Sequence, residues 1–227
     1  MKKPKFLLFA LVFMGMFWQC SSADVGLDKT LRFPKLAKGR FWVYKITENS
    51  ILNGKSSKLD YNIREFIKDT LTVKGQLMYF VEISRKKSDE FDYKLIDTKL
   101  FFETPQGFFE KSGAVTLQRL KYPVYASNEW YYDLSQGETQ TNKAKYTATK
   151  KDVLYDSKKY SNGFQIQIRN DSTGLFRKKN YEVYHPTYGQ VYGELIDEEY
   201  CQENAACIGK GIVVSSKVIY KTLVGNN

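Results

Sequence analysis

From residue 39 onward, apolar and polar side chains alternate with a period of two along most of the chain, and this limits the fold more than any other feature. Successive side chains of a strand point to opposite faces, so this period builds sheets, whereas a helix needs apolar residues every three to four positions. Leu77, Tyr79, Val81 and Ile83 alternate with Met78, Phe80, Glu82 and Ser84, and Phe164, Ile166 and Ile168 alternate with Gln165, Gln167 and Arg169. Trp42, Tyr44 and Ile46 form one face of a first strand, with Phe41 and Val43 on the other. Turn signals such as Lys74-Gly75, Thr104-Pro105-Gln106-Gly107 and Asp171-Ser172-Thr173-Gly174 separate the runs. No insert carries the helical period that a parallel crossover needs. The pattern predicts an all-β antiparallel meander of about ten or eleven strands, curled into a barrel or open half-barrel, with a two-sheet sandwich as the alternative. No boundary or repeat divides residues 39–227, which read as a single β domain.

The first twenty residues address the chain. Lys2, Lys3 and Lys5 precede an apolar run from Phe6 to Trp18, and Cys20 follows. Thirteen apolar residues behind a basic start match an export signal and fall short of the ~20 that span a bilayer as a helix. A cysteine at the cut is what lipoprotein processing requires: residues 1–19 leave as a signal peptide and the Cys20 thiol takes the diacylglyceryl group. Residues 20–38 then read as a tether, in which Pro34 discourages a long helix.

The Lys-rich start, the Phe/Leu-rich core, Cys20-Ser21-Ser22 and Asp24 resemble the lipoproteins of Bacteroidota, although Phe17-Trp18-Gln19 lacks the usual small residues before the cysteine. The resemblance implies an acylated (palmitate-labelled) Cys20 and, with Ser21 rather than Asp behind it, anchoring at the outer membrane of the cell envelope, facing either periplasm or surface.

Removing residues 1–19 takes three lysines and lowers the formal charge from +10 to +7. Export makes nucleic acid an unexpected partner for this basic chain; the membrane, through the N-terminal lipid, is the expected one. Arg85-Lys86-Lys87, Lys150-Lys151, Lys158-Lys159 and Arg177-Lys178-Lys179 lie among aromatics and suit anionic headgroups or glycans, or simply solubilise hairpin tips. Cys201 and Cys207 flank Gln-Glu-Asn-Ala-Ala between two strand-like runs, which predicts a disulfide stapling a hairpin mouth.

The residues that carry catalysis are sparse. His185, the single histidine, lies in Tyr184-His185-Pro186 with no Gly-x-Ser-x-Gly to serve, and reads as a strand-end residue, so no catalytic residue is assigned. One histidine and three otherwise engaged cysteines make no metal cluster, and no phosphate-binding or dinucleotide motif implies a cofactor. Asp89-Glu90-x-Asp92 and Asp197-Glu198-Glu199 are the candidate carboxylate pairs for glycan hydrolysis, and read more simply as solvated strand ends.

Gly39-Arg40-Phe41-Trp42 resembles the opening of lipocalins, whose Gly-x-Trp places a tryptophan on the barrel floor beside a basic residue of the last strand. Here the spacing is one residue longer, and Lys217 or Lys221 would supply the base. Tyr188-Gly189-Gln190-Val191-Tyr192-Gly193 is similar to strand starts in lipoprotein-carrier half-barrels. The aromatic-rich curved sheet reads as a non-catalytic binding module for a hydrophobic or amphiphilic ligand, with Trp42, Tyr44, Tyr79, Phe80, Phe101 and Trp130 lining an open concavity. A structural or assembly subunit of an envelope complex would instead have a solid core and an exposed apolar patch. A glycan-acting enzyme comes third.

Overall fold

The structure is a computed structural model that describes residues 31–126, 128–139, 143–155 and 158–227. The expected signal peptide, Cys20 and the expected tether as far as residue 30 lie outside the described residues. The described residues form twelve strands: β1 (Phe41–Leu52), β2 (Lys55–Val73), β3 (Gln76–Lys87), β4 (Lys94–Thr104), β5 (Gly107–Ser112), β6 (Val115–Lys121), β7 (Glu129–Trp130), β8 (Ala144–Tyr155), β9 (Lys158–Ser172), β10 (Phe176–His185), β11 (Gly189–Tyr200) and β12 (Val213–Asn226). The count is one above the ten or eleven expected, and β7, which falls on the Trp130-Tyr131-Tyr132 run, is only two residues long.

The strands form one antiparallel sheet in the order β6-β5-β4-β3-β2-β1-β12-β11-β10-β9-β8-β7. The first and last strands therefore pair in its middle, Trp42 opposite Asn226 and Leu52 opposite Ser215. The two edges, β6 and β7, meet at a seam. There Gln118 N–H donates to the Tyr132 carbonyl at 2.8 Å, Trp130 Nε1–H donates to the Gln118 carbonyl at 2.6 Å, and Leu117 bridges Asp133. Rolling up in this way removes the exposed sheet edges, so the molecule is the expected barrel, nearly closed, rather than a sandwich.

An up-and-down barrel has two ends. At the near end lie the start of β1, the end of β12 and the connections β2–β3, β4–β5, β6–β7, β8–β9 and β10–β11; the other six connections make the far end. The near end is plugged. Leu31, Phe33 and Leu36 are buried in the core, and the Phe33 ring stacks on Phe108 at 3.9 Å and lies 5.7 Å from Trp42. The Phe33 N–H donates to the Tyr122 hydroxyl at 3.0 Å. Residues 31–38, expected to belong to the tether, are thus packed as part of the domain, because their apolar side chains find a barrel mouth to fill. Gly189 faces the plug in a left-handed conformation (φ +80°), and a Cβ there would meet Trp42 Nε1 at 3.1 Å and Phe33 at 3.2 Å. The Trp42 Nε1–H beside it donates to the Tyr188 carbonyl at 2.8 Å.

At the far end Cys201 and Cys207 form a disulfide, with Cα atoms 5.7 Å apart, inside the β11–β12 connection. Closing so short a ring stabilises the fold by about 2 kcal/mol on a chain-entropy basis.

Candidate functional site

Alternation should make the inward face of the central strands apolar, yet six strands each place a charged residue there: Glu65 on β2, Lys99 on β4, Glu110 on β5, Arg119 on β6, Glu182 on β10 and Lys221 on β12. Their side chains are between 7% and 21% exposed. Arg119 turns inward at a bulge, since Phe108 pairs with Leu120 and Phe109 with Gln118, leaving it as the extra residue.

The six charges sum to zero and form one chain of ion pairs. Lys221 reaches Glu65 at 3.1 Å, Lys99 bridges Glu65 and Glu110 at 3.1 Å each, and Arg119 bridges Glu110 at 3.1 Å and Glu182 at 2.7 Å. Tyr184 closes the chain, its hydroxyl donating to Glu182 at 2.7 Å and accepting from Arg119 Nε at 3.2 Å. Aromatic faces complete the shell: the Lys221 ammonium lies 3.8 Å from the Tyr44 ring centre and that of Lys99 4.6 Å from Phe101. Buried charges persist only when each is paired and hydrogen-bonded, and here each is.

The protonation states follow. Burial alone raises the Glu65 carboxyl, but the ammonium groups of Lys221 and Lys99 more than reverse this and hold it at about 2. For Lys99 burial lowers the pKa, and two flanking carboxylates carry it above its ordinary value. Lys221 has one carboxylate and a repelling neighbour in Lys99, so burial prevails and its pKa falls. Burial pushes the Tyr44, Tyr132 and Tyr184 hydroxyls up, keeping them protonated.

Because the folded Glu65 pKa lies below its unfolded value, the stability it contributes is fully present above about pH 4.5 and lost as pH falls from there toward 2. Denaturant titrations across this window should show a decline of about 3 kcal/mol assignable to Glu65, and a shallower one in Glu65→Gln. Equal declines in both proteins would contradict the ion-paired state.

Beside this network the lumen retains a cavity of about 10 Å³, room for a single water. Trp42, Tyr44, Phe101 and Trp130, expected to line an open concavity, are each under 5% exposed and serve as core. Tyr79 packs partly buried against that core, while Phe80 takes the opposite face of β3, since Val81 beside it points inward. Among the described residues, the space around these side chains is occupied by aromatics, the Phe33 plug and the charge network. Lys221, the expected lipocalin-type partner of Trp42, sits on Tyr44 instead, and it is Arg40 that lies 5.3 Å from the Trp42 ring. Lys217, the other candidate, pairs with Glu48 at 3.3 Å.

His185 ends β10 with both ring nitrogens engaged, Nε2 on the Ser161 carbonyl at 2.9 Å and Nδ1 accepting from Thr187 N–H at 3.1 Å, and burial lowers its pKa. The carboxylate clusters are occupied locally. Glu90 accepts from the Lys87 N–H and the Lys94 ammonium, while Asp197 and Glu198 pair with Lys178 and Arg177. Among the described residues no group of three His, Cys, Asp or Glu side chains is placed to hold a metal, and no helix is long and apolar enough to cross a membrane.

The two barrel ends differ in charge and in polarity. Residues 31–40 and the near-end connections carry five basic residues (Arg32, Lys35, Lys38, Arg40 and Lys74) and one acidic residue by sequence; the far-end connections carry two basic and six acidic residues. Among the described residues sixteen large apolar side chains are exposed, and all but Val73, Leu77, Tyr188 and Val224 belong to the far half of the barrel. Leu52, Phe91, Val115, Leu175 and Ile208 each come from a different far-end hairpin, and Phe91 is 95% exposed. At the near end a groove of about 330 Å³ is lined by Lys159, Tyr160, Tyr188 and Leu223 to Asn226.

No family model matches the sequence, and no curated protein matches it. Two solved structures are similar to it. One is a candidate lipoprotein from Parabacteroides distasonis, with 11% identity, a TM-score of 0.47 and coverage of 86% of this chain and 97% of that one. The other is a candidate exported protein with a YmcC-like fold from Bacteroides fragilis, with 10% identity, a TM-score of 0.45 and coverage of 86% and 99%.

Proposed function

We propose that this chain is a lipid-anchored, non-catalytic protein of the bacterial cell envelope that acts as an assembly subunit, offering the far end of its barrel to another envelope protein. The leader and Cys20 support the address, and the Cys201–Cys207 disulfide suits an oxidising compartment. The observation that carries the rest is the concentration of exposed apolar side chains in the far half of the barrel, twelve of the sixteen among the described residues. A concentration of exposed apolar side chains on one half of a molecule supports a binding face there. The partner's chemistry follows from the acidic far-end connections: a basic rim around an apolar patch.

A photo-crosslinking residue at Phe91 or Leu52 in intact cells is expected to capture one envelope protein reproducibly, and the same residue at Lys74 to leave it uncaptured. Failure to capture any reproducible partner from the far end removes this reading.

A second reading, binding of an amphiphilic ligand, is favoured by the near-end groove, whose volume lies in the usual ligand range and whose wall joins a lysine and two tyrosines to Leu223 and Val224. Native mass spectrometry of protein from its own membranes is expected to show a bound lipid that a bulky substitution at Gly225 displaces; protein free of any adduct contradicts it.

A further inference from the structure

The assembly reading concerns the far end and leaves the orientation of the barrel open. We propose that the near end lies flat against an anionic lipid surface, an inference that rests on the anchor at Cys20. Three observations converge. Residues 31–40, which cross the near mouth, carry Arg32, Lys35, Lys38 and Arg40 and no acid, and Lys74 adds a fifth cation from the β2–β3 turn. The far-end connections are acidic, so the long axis of the barrel is also an axis of charge, positive toward the near end.

The chain also enters the domain at this end. Ten residues lie between Cys20 and Leu31, eleven chain steps that span at most about 40 Å when fully extended. That reach lets the near end touch the bilayer holding the lipid; bringing the far end to the same bilayer would spend nearly all of it on the length of the barrel, roughly 30 Å for tilted strands of twelve residues. Finally, the cations are available. Lys35 and Lys74 are exposed and make no ion pair among the described residues, and the Lys38–Asp69 pair is more than 60% exposed on both sides, so its attraction is weak and readily exchanged for a phosphate.

The test uses the mature lipidated protein in vesicles of phosphatidylcholine and in vesicles of phosphatidylcholine mixed equally with phosphatidylglycerol, with lysine acetylation read residue by residue. In the anionic vesicles Lys35 and Lys74 are expected to react at least about threefold more slowly than in the neutral ones, a difference that high salt abolishes, while Lys55 and Lys210 at the far end react alike in both. Equal labelling of the two ends in protein that floats with both vesicle types overturns the proposal and leaves the anchor intact. Protein that fails to float with neutral vesicles overturns the anchor instead. The surface is then judged by flotation with anionic vesicles at low salt, where failure to float overturns it as well.

Discussion

Arg119→Met should destabilise the protein by about 3–5 kcal/mol, a loss of roughly 6–20 °C in Tm for a domain of this size. Arg119 is the one cation between Glu110 and Glu182 and also donates to Tyr184. Methionine fills much of the same volume, so the cost comes from two carboxylates left beside a cavity with room for a single water. Glu110 keeps Lys99, but Glu182 retains only neutral hydroxyl partners, Tyr184 and Tyr132, once the guanidinium is gone. Adding Glu182→Gln to Arg119→Met should recover part of the loss, because a neutral amide tolerates the site. Equilibrium denaturation of the two variants measures both effects, and a loss below about 1 kcal/mol for Arg119→Met would show that water reaches the network.

Phe33→Ala should cost about 3–5 kcal/mol, far above the few tenths expected for a tether residue. Its ring lies within 6.2 Å of those of Trp42, Phe101, Phe108 and Tyr184, so truncation leaves a void bounded by four aromatics that the barrel wall holds apart. Loss of the plug should also expose residues 31–38 to protease before the strands are cut. Unchanged stability together with unchanged cleavage would return these residues to the tether.

The barrel was legible because its determinants are local. Alternation at Leu77–Ile83 and Phe164–Ile168, and turns such as Thr104–Gly107, each fix a strand or its end without reference to the rest of the chain. The plug was hidden for the opposite reason: Leu31, Phe33 and Leu36 gain meaning only from a mouth built by strands far away in sequence. The charge network left a trace that periodicity could have recovered. Glu65 falls in phase with Tyr61, Ile63 and Ile67, Lys99 with Phe101, and Lys221 with Ile219 and Leu223, so each is a lone charge on an otherwise apolar face. Read singly, such a residue looks like noise; read together, three acids and two bases in core phase announce a buried charge cluster that lacks one cation. Arg119 alone escaped this logic, because a bulge shifts its phase.

The pairing of β1 with β12 has a kinetic consequence. Every hairpin can zip as it is synthesised, but the ring of hydrogen bonds stays broken until Val213–Asn226 arrives to meet the strand made first. Joining segments so remote in sequence carries the loop-closure cost of the long stretch between them, which places this barrel among slow folders that wait, with sticky unpaired borders, for the fourteen residues of β12. A chaperone that shields the margins of β1 and β11 during that wait would be guarding the step on which yield depends.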